Sequence, residues 1–305
     1  MTDREGPADA AFRAGVAAVV GRPNVGKSTL VNALVGTKVS IVSDKPQTTR
    51  FAIHGVMEGD GWQVVFTDTP GYHKPRSALG VRLNQRVEES VDGVDAVVLV
   101  VDASGHGVGR GDAMVAEREV APAPGAKVCV VNKVDLVGHR DLVPQLARAA
   151  ALAEFAHVVP VSARTGRGLD ELREVIVAAM PAGPALFPPG AVTDLPVERR
   201  IEEIVREKVL ALTREEVPHS IAVRLEDLDR DPGTRVTTVA CDVLVERESQ
   251  KGIVIGKGGA MLKQVGSQAR RDIEPLLGGP VFLSLRVKVL KDWQRDPQAL
   301  TRLGL

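Results

Sequence analysis

Residues 14–29 read AGVAAVVGRPNVGKST. Seven small or β-branched apolar residues run directly into Gly21, Arg22, Pro23, Asn24, Val25, Gly26, Lys27 and Ser28, a complete G-x-x-x-x-G-K-[ST] pattern followed by Thr29. A buried strand, a glycine-bearing loop and a helix start, in that order, build an anion cradle. Successive backbone N–H groups converge, glycine allows the tight path, and the helix N-terminus favours negative charge. The stretch therefore predicts a nucleoside triphosphate site, with Lys27 on the β- and γ-phosphates and the Ser28 hydroxyl on Mg²⁺.

Working outward, four more Val-rich runs, 63–67, 96–101, 127–131 and 157–161, join the run at 15–20. They alternate with helix-like stretches at 28–35, 81–90, 111–120, 140–155 and 169–180. Short apolar runs bounded by turn residues suit strands buried on both faces. The reading is an α/β phosphate-loop domain, a mostly parallel sheet with helices on both faces. The run 51–57 adds an antiparallel edge strand through a hairpin turn at Glu58-Gly59-Asp60-Gly61.

Three further stretches follow such strands. Asp68-Thr69-Pro70-Gly71 sets a carboxylate to hold Mg²⁺ through water and the Gly71 amide to meet the γ-phosphate. Asn132-Lys133-Val134-Asp135 selects the base. A carboxylate at Asp135 accepts from guanine N1–H and the N2 amino group together, which adenine cannot match. Asn132 braces the loop and meets the base edge, and Lys133 lays its stem on the ring. Ser162-Ala163 is expected to give a backbone amide to guanine O6. Between loop and Asp68, Lys45-Pro-Gln-Thr-Thr-Arg50 offers a hydroxyl for the Mg²⁺ shell when the γ-phosphate is present. Thr49 is favoured and Thr48 is the alternative.

Pro and Gly crowd residues 181–190, which suits an interdomain linker. The expected division is a disordered tail at 1–13, a nucleotide domain at 14–182, a linker at 183–196 and an α+β domain at 197–305. In the last, Gly256, Lys257, Gly258 and Gly259 form a G-x-x-G loop between two helices. From Glu246 to Lys291 nine basic residues face four acidic ones. A loop without side chains lets a sugar–phosphate backbone approach, so Lys251, Gly256, Lys257, Gly258, Gly259, Lys263, Arg270 and Arg271 are candidates for RNA binding. A plain helix–helix turn with a solvated charged face is the competing reading.

Composition bounds these readings. Over 305 residues, Lys+Arg and Asp+Glu both number 39, so no whole-chain nucleic-acid signal exists and any basic surface is local. Apolar content of 44% and charge of 26% fit a globular protein of two domains. Cys129 and Cys241 sit in apolar runs and read as reduced core thiols. No apolar run is long enough to span a bilayer.

The GTPase motifs, Pro46-Gln-Thr-Thr-Arg50 and Val254-Ile-Gly-Lys-Gly-Gly259 together resemble the bacterial Era GTPases over about residues 16–305. Leu244–Lys251 (LVERESQK) and Arg286–Trp293 (RVKVLKDW) resemble that family's C-terminal half. The resemblance implies a GTP hydrolase switching between GTP and GDP, a type II KH domain, and binding to 16S ribosomal RNA near its 3′ end. It also implies a role in 30S subunit assembly and a cytoplasmic location with some peripheral membrane association. A monomer is expected. Tyr72 stands where a water-orienting Gln sits in Ras-like GTPases. Related GTPases without that Gln use K⁺, which makes Asn24 a candidate K⁺ ligand; a loop-bracing Asn is the alternative. Two rivals stay open. One is another phosphate-loop GTPase acting on tRNA, and the other is an RNA-binding module that binds GTP and scarcely hydrolyses it.

Overall fold

The computed structural model describes residues 11–72, 75, 77–230, 233 and 235–305. Residues 1–10 of the expected tail lie outside them. The described residues form two compact units, the first from 11–40, 52–69 and 87–194.

The first unit is a six-stranded sheet in the order β2-β3-β1-β4-β5-β6. Its strands are β1 (Arg13–Val20), β2 (Ile53–Gly59), β3 (Trp62–Asp68), β4 (Ala96–Asp102), β5 (Ala126–Asn132) and β6 (His157–Pro160). All neighbours are parallel except β2 with β3. The central strands β1 and β4 are apolar and buried along most of their length because helices cover both faces. Val19, Phe66, Val98 and Val130 meet Leu30, Val31, Leu172 and Ile176 in one core, supplied by α1 (Lys27–Val35) and α5 (Leu169–Ala179).

Several boundaries depart from expectation. Arg13 is part of β1, not of a tail: its N–H donates to Gly61 O at 3.0 Å and its guanidinium to Met180 O at 2.7 Å. The single helix expected at 111–120 is α3 (Arg110–Val115) plus a wider turn, residues 116–120, closed by Ala121 N on Ala116 O at 2.8 Å. Pro122 follows directly and cannot donate to a regular helical bond. The helix expected to reach 155 is α4 (His139–Ala150); Ala156 N donates to Lys127 O at 2.9 Å and draws the chain toward β5.

The expected linker is a fastened strap as far as Asp194. Edge strand β2 needs partners for its outward amides, and Val56 N donates to Val192 O at 3.0 Å. The Leu186 and Phe187 amides both donate to Gln63 Oε1 at 2.8 Å.

The second unit takes residues 41–51, 70–86 and 195–305. Two segments read as part of the nucleotide domain thus group with the C-terminal domain. The reason is apolar: Leu79 and Leu83 of α2 (Ala78–Val91) share a cluster with Trp293, Leu300 and Leu303. The remaining elements are α6 (Val197–Leu212), β7 (Ala222–Arg230), β8 (Thr237–Val245), α7 (Glu248–Ile255), α8 (Ala260–Leu277), β9 (Val281–Val289) and α9 (Pro297–Arg302). β7 and β8 are antiparallel, and β8 and β9 parallel, joined across α7 and α8. This is the α-β-β-α-α-β order of a type II KH domain. Ile201, Val205 and Val209 of α6 and Val265, Ala269 and Ile273 of α8 repeat every four residues, so each helix lays one stripe on the sheet.

Cys129 and Cys241 are buried and free, and burial pushes both thiols up to about 12. Among the described residues no helix is long and apolar enough to cross a membrane.

Candidate nucleotide site and nucleic-acid interface

The strand registers bring the first unit's motifs to one edge. Val19 pairs with Asp68, and Asp102 with Asn132, so β1 ends beside β3 and β4 beside β5, with all four C-terminal ends on the same sheet edge. β1 lies between β3 and β4, where the order of connection reverses, and such crevices bind ligands.

The loop 21–28 leaves β1 and turns into α1, whose N-terminus has no side-chain cap, and a helix N-terminus favours an anion. Gly26 adopts φ 101°, and an added Cβ would stand 2.4 Å from Asn132 Nδ2. At Gly21 a Cβ would stand 2.5 Å from Val100 O. The cradle therefore requires glycine at both positions. Lys27 is buried, and its Nζ donates to Gly21 O and Arg22 O at 3.1 Å each. Burial pushes its pKa down to about 8, opposed by the Asp68 carboxylate. Asp68 is fully buried at the end of β3. A hydroxyl and a carboxylate are hard oxygen donors of the kind Mg²⁺ takes.

Asn132 joins the loops. Its Nδ2 donates to Val25 O at 2.9 Å and its Oδ1 accepts from Ala163 N at 3.0 Å. Lys133, in the left-handed region at φ 65°, sends Nζ to Asn24 O at 2.7 Å and Asp102 Oδ2 at 2.5 Å. Asp135 accepts from Ser162 Oγ at 2.6 Å and pairs with Arg164 at 2.9 Å. The Ser162 hydroxyl is the main cause that lowers the Asp135 pKa, and Arg164 adds to it. Asp135 is thus held as an acceptor.

Ser162 N donates to Arg167 O at 2.9 Å and Ala163 N to Asn132 Oδ1 at 3.0 Å. Buried N–H groups take an internal partner. Three residues were missed. Asp102 and Arg164 hold the base loop, and Asp112 accepts from Arg22 Nε at 2.7 Å. No spacing rule marks them, because their partners come from distant loops. Pro23, Val25 and Thr29 add backbone to the loop, and Asn24 stands exposed at φ 64°.

Thr49 and Gly71 belong to the second unit, where both are buried, as is Tyr72. The Thr48 hydroxyl donates to Lys45 O at 2.6 Å and closes a turn.

In the C-terminal domain a groove of about 370 Å³ lies between α8 and β9. Of the RNA-binding candidates, Gly259, Lys263 and Arg270 line it, with Ser267 and Phe282, while Gly256, Lys257 and Gly258 do not. Phe282 is 63% exposed, an unusual position for a Phe. Alternation along β9 could have flagged it. Lys251 and Arg271 do not line the groove, and Lys251 faces Glu248 at 3.9 Å instead. Gly258 and Gly259 both have positive φ, and a Cβ on either would meet nothing within 4 Å. Their outer faces are open to an approaching backbone.

Fold and sites together define a phosphate-loop GTPase joined to a KH domain. A family model described as a 50S ribosome-binding GTPase matches residues 16–133, and a KH domain model matches 216–294. GTPase Era of Mycobacterium bovis (strain BCG / Pasteur 1173P2) is 48% identical over 297 residues, covering 96% of this chain and 99% of that protein. GTPase Era of Mycobacterium sp. (strain KMS) is 47% identical over 296 residues, with the same coverage of 96% and 99%. A crystal structure of Era in complex with MgGDPNP and nucleotides 1506–1542 of 16S ribosomal RNA superposes with a TM-score of 0.93 at 38% identity, covering 96% of this chain and 99% of that one. A variant of Aquifex aeolicus Era bound to GDP and AlF₄⁻ gives a TM-score of 0.92 at 38% identity and the same coverage, 96% and 99%. The chain belongs to the Era GTPase family.

The Lys27 environment gives a pH dependence. In the free protein Lys27 loses its proton near pH 8, whereas phosphate charge holds that proton in the complex. Binding therefore takes up a proton as pH rises, and GDP affinity is flat below about pH 7 and falls from about pH 8 toward about 9. Fluorescence titration, with calorimetry in two buffers to count protons, checks this. Constant affinity and no proton uptake across the range would contradict it.

Proposed function

We propose that the chain hydrolyses GTP to control its hold on the 3′ end of 16S ribosomal RNA during assembly of the 30S subunit. The observation that carries the nucleotide half is the gathering of Lys27, Asp68, Asn132 and Asp135 at one sheet edge, with Asn132 bonded to both the phosphate loop and the 162–163 loop. The RNA half is supported by the KH groove with its open glycines, and by the related Era structure with bound 16S nucleotides. A cytoplasmic site of action follows from that substrate. Removal of the tRNA rival rests on the KH domain, which a different C-terminal domain would replace.

The chemistry is in-line attack of water on the γ-phosphorus. The new bond is to the water oxygen, the bond to the β–γ bridging oxygen breaks, and GDP and phosphate leave. Positioning and charge stabilisation dominate such reactions. Lys27 and the loop amides meet the negative charge that moves onto the bridging oxygen. Ser28, Thr49 and, through water, Asp68 are the residues that would hold Mg²⁺, which would supply positive charge to the β- and γ-oxygens. The Gly71 amide serves the γ-phosphate. Tyr72 is buried and supplies no water-orienting amide, so unaided turnover is slow. Asn24, exposed in the loop, is the residue we assign to a K⁺ ion beside the phosphates. Replacing K⁺ by Na⁺ should slow hydrolysis, and equal rates in the two salts would remove that ion.

Base choice is read by Asp135. In Asp135→Asn one acceptor becomes a donor, and preference moves from guanine toward xanthine, whose C2 carbonyl accepts. Competition binding measures this; a variant keeping the wild-type margin for GTP would refute the assignment. For RNA, the double variant Gly258→Asp, Gly259→Asp puts bulk and like charge against phosphate. Binding isotherms on folded protein should show RNA affinity lost and GTP affinity kept. Unchanged RNA affinity would return the loop to an ordinary turn, and loss of both affinities would mean the two activities do not separate.

A further inference from the structure

The segment that ends β4 and opens α3, residues 102–112, reads DASGHGVGRGD and lies wholly within the first unit. It belongs to none of the nucleotide motifs, yet each of its ends sends a carboxylate to the phosphate loop through a cation. At its start Asp102 Oδ2 meets Lys133 Nζ at 2.5 Å, and the same Nζ donates to Asn24 O at 2.7 Å. At its end Asp112 Oδ1 accepts from Arg22 Nε at 2.7 Å. Arg22 and Asn24 both belong to the loop 21–28.

Both carboxylates are themselves fixed. The Asp112 side chain is 1% exposed, and its Oδ2 accepts from Gly109 N at 2.9 Å. Asp102 Oδ1 accepts from Ser104 N at 2.8 Å and from Ser104 Oγ at 2.6 Å. Val108 N donates to Gln145 Oε1 at 2.9 Å, which ties the middle of the segment to α4. Gly111 leaves room for the Arg22 stem, since a Cβ there would stand 2.5 Å from Arg22 Cδ. On the other side of the contact, Lys27 Nζ holds the carbonyls of Gly21 and Arg22. The Arg22 side chain is 35% exposed, and ion pairs open to water add little to stability. What the planar guanidinium adds is direction: bound through Nε, it fixes the course of its own stem. That stem belongs to the loop whose amides form the cradle.

We propose that Asp112 is a positioning residue for the nucleotide: acting through Arg22, it fixes the phosphate loop, while Asp102 acts through Lys133 on the same loop, so that residues 102–112 form a brace on which nucleotide affinity and GTP cleavage depend. The inference rests on the reading of residues 21–28 as the phosphate cradle.

The test measures GDP affinity and saturated single-turnover GTP hydrolysis by the full chain, with the melting temperature of the nucleotide-free protein beside them. Asp112→Asn keeps volume and an oxygen for Gly109 N, but turns a donor toward Arg22. Affinity and rate should each fall by about tenfold or more, as small misplacements of positioned groups do. Arg22→Gln keeps most of the stem and loses the pin, and should give a similar loss. The double variant should be no worse than the worse single one, because both break one contact. Arg22→Lys keeps a charge without the Nε edge and should recover part of the loss. Gly111→Ala leaves both charges in place and favours α3, yet should weaken GDP binding by pushing the Arg22 stem aside. A pair that only stabilised the fold would lower the melting temperature of Asp112→Asn and leave the affinity and rate of the folded protein at wild-type values, which would overturn the proposal. Losses that add in the double variant would overturn it too. Should Asp112→Asn not fold, wild-type GDP affinity in both Arg22→Gln and Gly111→Ala would overturn it equally. Lys27→Ala separates the two layers. If it loses GDP while Asp112→Asn does not, the cradle reading stands and the positioning role falls. If Lys27→Ala keeps GDP affinity, both fall.

Discussion

The side chain of Asn132 holds the nucleotide site together. It is 2% exposed and spends both ends, one on Val25 O and one on Ala163 N. The phosphate loop and the 162–163 loop follow strands β1 and β6, which are not neighbours. The sheet sets the spacing of the strand ends, and a bond between the loops holds the loops themselves together. An amide does this where a carboxylate could not, since it must donate at one end and accept at the other. Gly26 has to be glycine because that amide passes close by. Lys133 adds a second tie to the same loop through Asn24 O.

Around this frame the charges are arranged at a cost. Lys27 is buried among carbonyls, and Asp68 is buried near enough to raise its pKa against the effect of burial. A buried cation and a buried carboxylate are costly to hold, and phosphates and Mg²⁺ would bring each a charge of opposite sign. The C-terminal domain carries a comparable arrangement. Arg50 and Arg206 are each 2% exposed, and Arg206 leans on Glu203. Buried cations of this kind do not add to stability on their own account. Both units therefore hold charge where chemistry or geometry, and not packing, explains it.

Motifs written in contiguous residues were legible. Gly21 to Ser28 and Asn132 to Asp135 carry their meaning in spacing, and the sheet they sit on follows from Val-rich runs. The Gly256 to Gly259 loop was legible with its basic flanks. What depends on distant partners was not. Asp102, Asp112 and Arg164 act through residues far away in sequence. The strap at 183–194 looked like a linker because Pro and Gly mark the absence of regular structure, not of attachment; Gln63 and Val56 fasten it. Helix α9 was missed although Asp296 caps it through Gln298 N at 2.9 Å and Pro297 opens it. The grouping of residues 41–51 and 70–86 with the C-terminal domain was invisible for the same reason: Leu79 and Leu83 look like any helix stripe until Trp293 is seen against them.

The central claim is that one chain joins guanine-specific hydrolysis to RNA binding. Single-turnover assays with GTP and with ATP, each with and without an RNA fragment from the 3′ end of 16S ribosomal RNA, test it most directly. The account predicts slow cleavage of GTP alone, a changed rate when the RNA is bound, and no cleavage of ATP. Equal GTP cleavage rates with and without bound RNA, or comparable cleavage of ATP, would contradict it.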